Sequence, residues 1–227
     1  MNNHIIVELQ DVYGSDAHIA NAAWTSTYAK ERRDERRDDP AKVSELVRRL
    51  VSEGHLVPLE SVVYRFWLYI PLFVDRHIQT YRDASQNGLS GRYRTMPMEY
   101  LPLPADVRRI LDKAGIQSAY KQRCEAAFSA YKTEIQLLKD AVTRGELLNS
   151  EFKRAREILR TYLPLAGFTE RTIQLNLRSL ANFLHQRLSP NAQVETREVA
   201  TWMRDLVLLD NSATTATQAL QEKQWKL

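Results

Sequence analysis

Between Thr80 and Tyr93 the chain reads TYRDASQNGLSGRY, which gathers Arg82, Ser85, Asn87, Ser90, Arg92 and Tyr93. A guanidinium offers planar, paired donors to phosphate oxygens. Hydroxyl and amide groups add further donors, and glycine lets backbone N–H groups come close to an anion. The chemistry such a stretch can do is to hold an oxyanion. A surface turn rich in arginine has the same composition, so the residue types alone leave both readings open.

Other chemistries are poorly supplied. The seven glycines form neither GxGxxG nor GxxxxGK[ST], which argues against a Rossmann or P-loop nucleotide site. There is no GxSxG elbow. The histidines at 4, 18, 55, 77 and 185 make no HExxH pair and no i,i+4 pair, so no metal site is expected. The one cysteine, Cys124, lies in RCEAAFSAY and is expected to be a buried helix residue rather than a nucleophile. If the chain is a nucleotide or flavin enzyme, its site must be assembled from dispersed arginines, asparagines and serines.

The flanking blocks give the segment a context. From Arg82 to Tyr93 the spacing matches the R-x-x-S-x-N-x-x-S-x-R-Y core of the signature of flavin-dependent thymidylate synthases, with Thr80 and Tyr81 where that family has Arg and His. Upstream, Gly54-His55 and Pro58-Leu59-Glu60 resemble the family's GHxxPxEH, with Ser61 in place of the last His, and PLFVDR resembles its PxFVxRQ, with His77 in place of Gln. Downstream, Arg160 precedes Leu163-Pro164, and Asn176, Arg178, Ser179, Leu180, Phe183, Leu184 and Arg187 follow the N-x-R-S-L-x-x-F-L-x-x-R pattern. Ala192-Gln193-Val194-Glu195 then resembles its AQxE. The blocks fall in the family's order over residues about 5–200.

The resemblance implies FAD as cofactor, with NADPH and methylenetetrahydrofolate as co-substrates, and reductive methylation of dUMP at C5. By matched position it assigns His55, Glu60, Tyr81, Arg82, Asn87, Asn176, Arg178 and Asn182 to FAD. It assigns Ser90, Gly91, Arg92 and Arg160 to the nucleotide, and Arg187 to the pyrimidine ring as the catalytic residue. A fixed cation there makes C5 electron-rich without a cysteine adding to C6. It also implies a homotetramer with sites at subunit interfaces. Departures cluster at Thr80, Tyr81, His77 and at Gly88, often Glu in the family. An arginine lost at position 80 removes charge-assisted bonds of about 1.5–3 kcal/mol each. A divergent thymidylate synthase, an enzyme making another C5-modified pyrimidine nucleotide such as a hydroxymethyl product, and a chain that kept the fold without the activity are the three readings this leaves. Of other classes, a basic helical nucleic-acid-binding protein rests on the pI near 9.2. Against it, the run KERRDERRDD mixes its signs, and no nucleic-acid module is recognisable. That reading, like a purely structural oligomerisation module, predicts a colourless protein.

The elements that must position these residues can be read from periodicity. Hydrophobic residues make up 44% and charged residues 26% of 227, with a net charge of +4, as in an ordinary globular protein. No apolar run approaches the roughly 20 residues of a membrane span. The N-terminus does not read as a secretory signal, so a cytoplasmic location is expected. Strands are predicted over 4–13, 61–74 (continuing past Pro71) and 92–100, and the charge run over 30–39 as a solvated loop or helix end. Asp39-Pro40 starts a helix that Gly54 closes. Further helices are predicted over 16–26, 105–114, 116–143, 150–162, 169–188 and 193–209, with a helix or turn over 76–91. On the helix 169–188, Asn176 and Arg187 would share one face and Arg178 and Asn182 the opposite one. The tail 211–227 is expected to be loosely held. Strands early and helices late indicate an α+β fold in a single domain over 1–227. The family resemblance adds that the sheet is central, mainly antiparallel and flanked by long helices.

Overall fold

Period-two alternation lays down the sheet. The computed structural model describes residues 4–226. Among them are four strands, β1 (Ile6–Tyr13), β2 (Val63–Pro71), β3 (Ser85–Gly88) and β4 (Phe168–Asn176), in sheet order β1-β2-β4-β3. In β2 the alternate residues Tyr64, Phe66, Leu68 and Ile70 are fully buried, which is why this β-branched and aromatic stretch pairs as a strand. β2 and β4 are antiparallel: Leu177 N–H donates to Val62 O and Leu72 N–H to Gly167 O, each at 2.8 Å. The α+β class with an antiparallel sheet is the one the sequence predicts.

Several predicted elements are corrected, among them the helix or turn expected over 76–91, in which Ser85–Gly88 pair as strand β3. The strand predicted to continue past Pro71 stops there, and helix α4 (Leu72–Gln79) takes over; proline has no N–H for a ladder but suits a helix start. The helix predicted over 169–188 is two elements, β4 and then α8 (Leu177–Arg187). In β4, Thr169, Arg171, Ile173 and Leu175 are buried while Glu170, Thr172, Gln174 and Asn176 are not, a strand's alternation. No strand forms over 92–100; of that stretch only Tyr100 pairs, as an isolated bridge to Gly167.

The chain folds as two compact units, residues 1–68, 77–87 and 172–227 forming one, and 69–76 and 88–171 the other. In the first unit, α1 (Asp16–Trp24), α3 (Pro40–Glu53), α8 and α9 (Val194–Leu209) bury Ile19, Val47, Leu180, Leu184, Val199 and Met203. The α3 boundaries are those read from the sequence: Asp39 accepts from Ala41 N–H at 3.1 Å, and Gly54 ends the helix at φ +75°. The charge run, expected to be a solvated loop or helix end, is a helix of its own, α2 (Lys30–Arg37), with none of its residues buried. Lys30 pairs with Asp34 at 3.2 Å, and the Arg36 guanidinium lies over the rings of Trp24 and Tyr28 at 5.2 and 5.0 Å, contacts that favour a helix despite its polarity. The tail expected to be loose carries α10 (Thr214–Glu222). Its Ala216, Thr217 and Leu220 are buried, and its N-terminal amides on Thr215 and Ala216 donate to Asp16 at 2.8 and 3.0 Å.

In the second unit, α6 (Tyr120–Thr143) packs Phe128, Tyr131 and Ile135 with Met96 and Leu163, and α7 (Asn149–Leu159) adds Phe152 and Leu159. Cys124 is buried within α6, as expected. α5 (Ala105–Lys113) buries none of its residues. Among the described residues no helix is long and apolar enough to cross a membrane.

Candidate functional site

In the first unit, β4 ends at Asn176 and α8 begins at once. Asn176 caps the new helix, its side-chain oxygen accepting from Ser179 N–H at 2.8 Å. The cap aims the first turn of α8 at a recess of about 770 Å³. Glu60, Arg82, Ser85, Asn176, Arg178 and Asn182 are among the residues lining it. Five of the eight residues that the sequence assigns to FAD, Glu60, Arg82, Asn176, Arg178 and Asn182, thus come together on one wall. Arg178 and Asn182 stand one turn apart on α8, and Arg178 Nη1 donates to Glu60 Oε1 at 2.8 Å. Glu60 is delivered by a 3-10 turn, Val57–Ser61, directly before β2.

The other three are placed differently. Tyr81 is buried behind the wall: its phenol donates to Ser179 O at 2.6 Å and accepts from Asn182 Nδ2 at 3.0 Å. Burial raises the Tyr81 phenol above its ordinary value, so it stays neutral; the Arg187 charge pulls in the opposite direction. His55 is exposed beside Glu53 at 3.5 Å, and Asn87 is exposed on β3; neither lines the recess. The shared helical face expected for Asn176 and Arg187 is not found, because Asn176 is an extended cap residue turned back on Ser179, and only Arg187 lies in the helix.

Two polar lining residues were missed in the sequence, Gln174 and Asp83. Gln174 precedes Asn176 by two on β4 and so faces the same way. The alternation in FTERTIQLN carried that signal; assigning a helix there concealed it.

In the second unit, the residues assigned to the nucleotide sit on a turn held against α7. Tyr93 and Arg94 N–H groups donate to Ser90 O at 3.0 and 3.1 Å, closing the turn. Arg92 Nε donates to Glu157 Oε1 at 2.6 Å, and Arg160 Nε to the Glu157 carbonyl at 3.3 Å. Arg92 and Arg154 hold the Glu157 carboxyl below its ordinary value. Arg156, which sequence reading did not single out, is buried, lies over the Phe152 ring and donates through Nη2 to the Arg92 carbonyl. Gly91 is pressed against Arg160: a Cβ added there would lie 2.6 Å from its Cδ. The unit also contains a buried, two-pronged pair, Arg171 with Asp75. Gly88 lies against that guanidinium, 3.0 Å separating an added Cβ from Nη2. Both units thus present guanidinium groups fixed by neighbours, an arrangement suited to phosphate-bearing ligands.

The sequence model of the family described as thymidylate synthase complementing protein matches residues 8–208. A flavin-dependent thymidylate synthase of Thermotoga neapolitana is 32% identical over 194 residues, 86% of this chain and 81% of its own length. Another, from Thermus thermophilus, is 31% identical over 212 residues, 88% and 70% of the two chains. Among solved structures, the UMP/dUMP methylase PolB from Streptomyces cacaoi bound with 5-Br dUMP is similar with a TM-score of 0.72 and 23% identity, covering 96% of this chain and 95% of that one. That likeness establishes the fold.

Proposed function

The chain belongs to the thymidylate synthase complementing protein family, and on that premise we propose that it is a flavin-dependent thymidylate synthase, methylating dUMP at C5. The observation that carries the proposal is the recess where Glu60, Arg82, Asn176, Arg178 and Asn182 converge. Two guanidinium groups and the N-terminal turn of α8 suit the pyrophosphate of FAD. Asn176 and Asn182 suit its polar edges. FAD, when bound, supplies reducing equivalents drawn from NADPH and helps carry the one-carbon unit of methylenetetrahydrofolate.

The chain's own residues have separable tasks in this reading. Arg92 and Arg160 hold the nucleotide phosphate, with Ser90 and Gly91 giving it room and donors. Arg187 stands against the pyrimidine and stabilises its ionised form, since a guanidinium keeps its charge. Cys124 takes no part: it is buried, and burial raises its thiol above the ordinary value, so little thiolate forms. The proposal includes the whole chain acting as one family domain, a cytoplasmic location and a homotetramer with sites at subunit interfaces. The uncovered α5, with Ile110 65% exposed, is the kind of surface another copy covers.

A second reading, methylation of a ribonucleotide or release of a different C5 product, draws on Gly88, which offers no carboxylate and lies against an Arg171 guanidinium already paired with Asp75. One assay addresses both. The protein is incubated with FAD, NADPH, methylenetetrahydrofolate and either dUMP or UMP, and the nucleotide products are identified by mass spectrometry. Thymidylate from dUMP is the expected result. Product only from UMP, or a hydroxymethyl nucleotide, establishes the second reading. No modified nucleotide from either refutes both.

A further inference from the structure

The residue at position 81 departs from the family signature, and its surroundings give it a defined task. Tyr81 has one proton to give, and its phenol gives it to the Ser179 carbonyl at 2.6 Å, which can only accept. The phenol can then only accept from a further partner. Asn182 is therefore held with its Nδ2 towards Tyr81, at 3.0 Å, and its Oδ1 receives Gln186 Nε2 at 3.0 Å from the other side. One N–H of the Asn182 amide remains for the recess that Asn182 lines. The phenol also grips the same residue, Ser179, whose N–H is capped by Asn176. Its ring stands edge-on to Phe183 at 5.5 Å between centroids, and Gln86 Nε2 holds the Tyr81 carbonyl at 2.9 Å. Tyr81 is thus fixed at ring, hydroxyl and backbone, and is only 7% exposed.

We propose that Tyr81 is a positioning residue for the flavin site: it fixes the Asn182 amide and the first turn of α8, and acts on the flavin through them rather than by touching it. The inference rests on the flavin reading of the recess. It replaces the direct Tyr81–FAD contact expected from the signature with an indirect one. The neutral, buried phenol suits the task, because it keeps the same hydrogen-bond polarity across the working pH range.

The test is a double-mutant cycle read out as FAD affinity by fluorescence quenching, with circular dichroism of each variant. Tyr81→Phe removes only the hydroxyl and keeps the ring on Phe183. We expect it to weaken FAD binding roughly tenfold in the parent chain, yet less than about twofold in an Asn182→Ala background, since the two groups act as one unit. A simple structural role would lower the melting temperature without that coupling. Full, additive losses in the two backgrounds, or no loss in the parent chain, overturn the proposal while leaving the flavin reading intact. A parent chain that does not bind FAD overturns the flavin reading, and the proposal falls with it.

Discussion

Gly91 is where a single methyl group separates binding from stability. An alanine Cβ would meet Arg160 at 2.6 Å from Cδ and 3.0 Å from Nη1, and Met96 Sδ at 3.2 Å. These atoms belong to flexible side chains, so the fold can yield, but it yields by moving the guanidinium assigned to the phosphate. Gly91→Ala is therefore expected to raise KM for dUMP about tenfold, a cost of about 1.4 kcal/mol in nucleotide binding, because a fork that must match phosphate geometry tolerates little displacement. The melting temperature should stay within a few degrees. Steady-state kinetics beside a thermal melt check it; a large drop in melting temperature with an unchanged KM would show that Gly91 serves packing alone. Asn176 offers the complementary separation. Its oxygen caps α8, which leaves its amide N–H groups for a ligand. Asn176→Asp keeps an oxygen acceptor for the cap and removes the donors, so it should weaken FAD with little change in stability. Asn176→Ala should also destabilise the protein by about 0.5–2 kcal/mol. Denaturant titration and FAD binding on the two variants distinguish the cap from the ligand contact.

At the scale of elements, what the sequence disclosed depended on how local each signal was. The Asp39 cap and the Gly54 stop are determined within one turn, and α3 lies where they place it. The family resemblance supplied Glu60, Arg82, Asn176, Arg178 and Asn182, because matched motif positions do not depend on knowing the backbone. What could not be read was the conformation between them. FTERTIQLN followed by LRSLANFLHQR contains no glycine or proline to mark the change from strand to helix. The change is made by Asn176, whose capping role depends on the strand before it being held in a sheet. Tyr81 illustrates the same limit: its motif position pointed to the flavin, while its partners Ser179 and Asn182 lie about a hundred residues away. The extent of the charge run's helix was not legible because its stabilising contacts, Arg36 over Trp24 and Tyr28, come from residues before the run.

For the molecule as a whole, the C-terminal helix is the least expected structural contributor. Leu220 is fully buried, and α10 has the Asp16 carboxylate at its N-terminus. Leu220→Ala is expected to cost about 2–5 kcal/mol, the range for a buried leucine that leaves a cavity, as measured by urea denaturation. A cost under about 0.5 kcal/mol, the level of an ordinary surface change, would mean that α10 is not packed as described. A flavin site that methylates a pyrimidine nucleotide without a cysteine nucleophile is open to a decisive check in a single turnover. The protein is loaded with FAD, reduced anaerobically and mixed with dUMP and methylenetetrahydrofolate, while flavin absorbance is followed and the nucleotide is quantified by mass spectrometry. One thymidylate formed per flavin reoxidised is expected, in the parent chain and in Cys124→Ala alike. A protein that takes up no flavin, or one whose thymidylate formation disappears with Cys124, would contradict this mechanism.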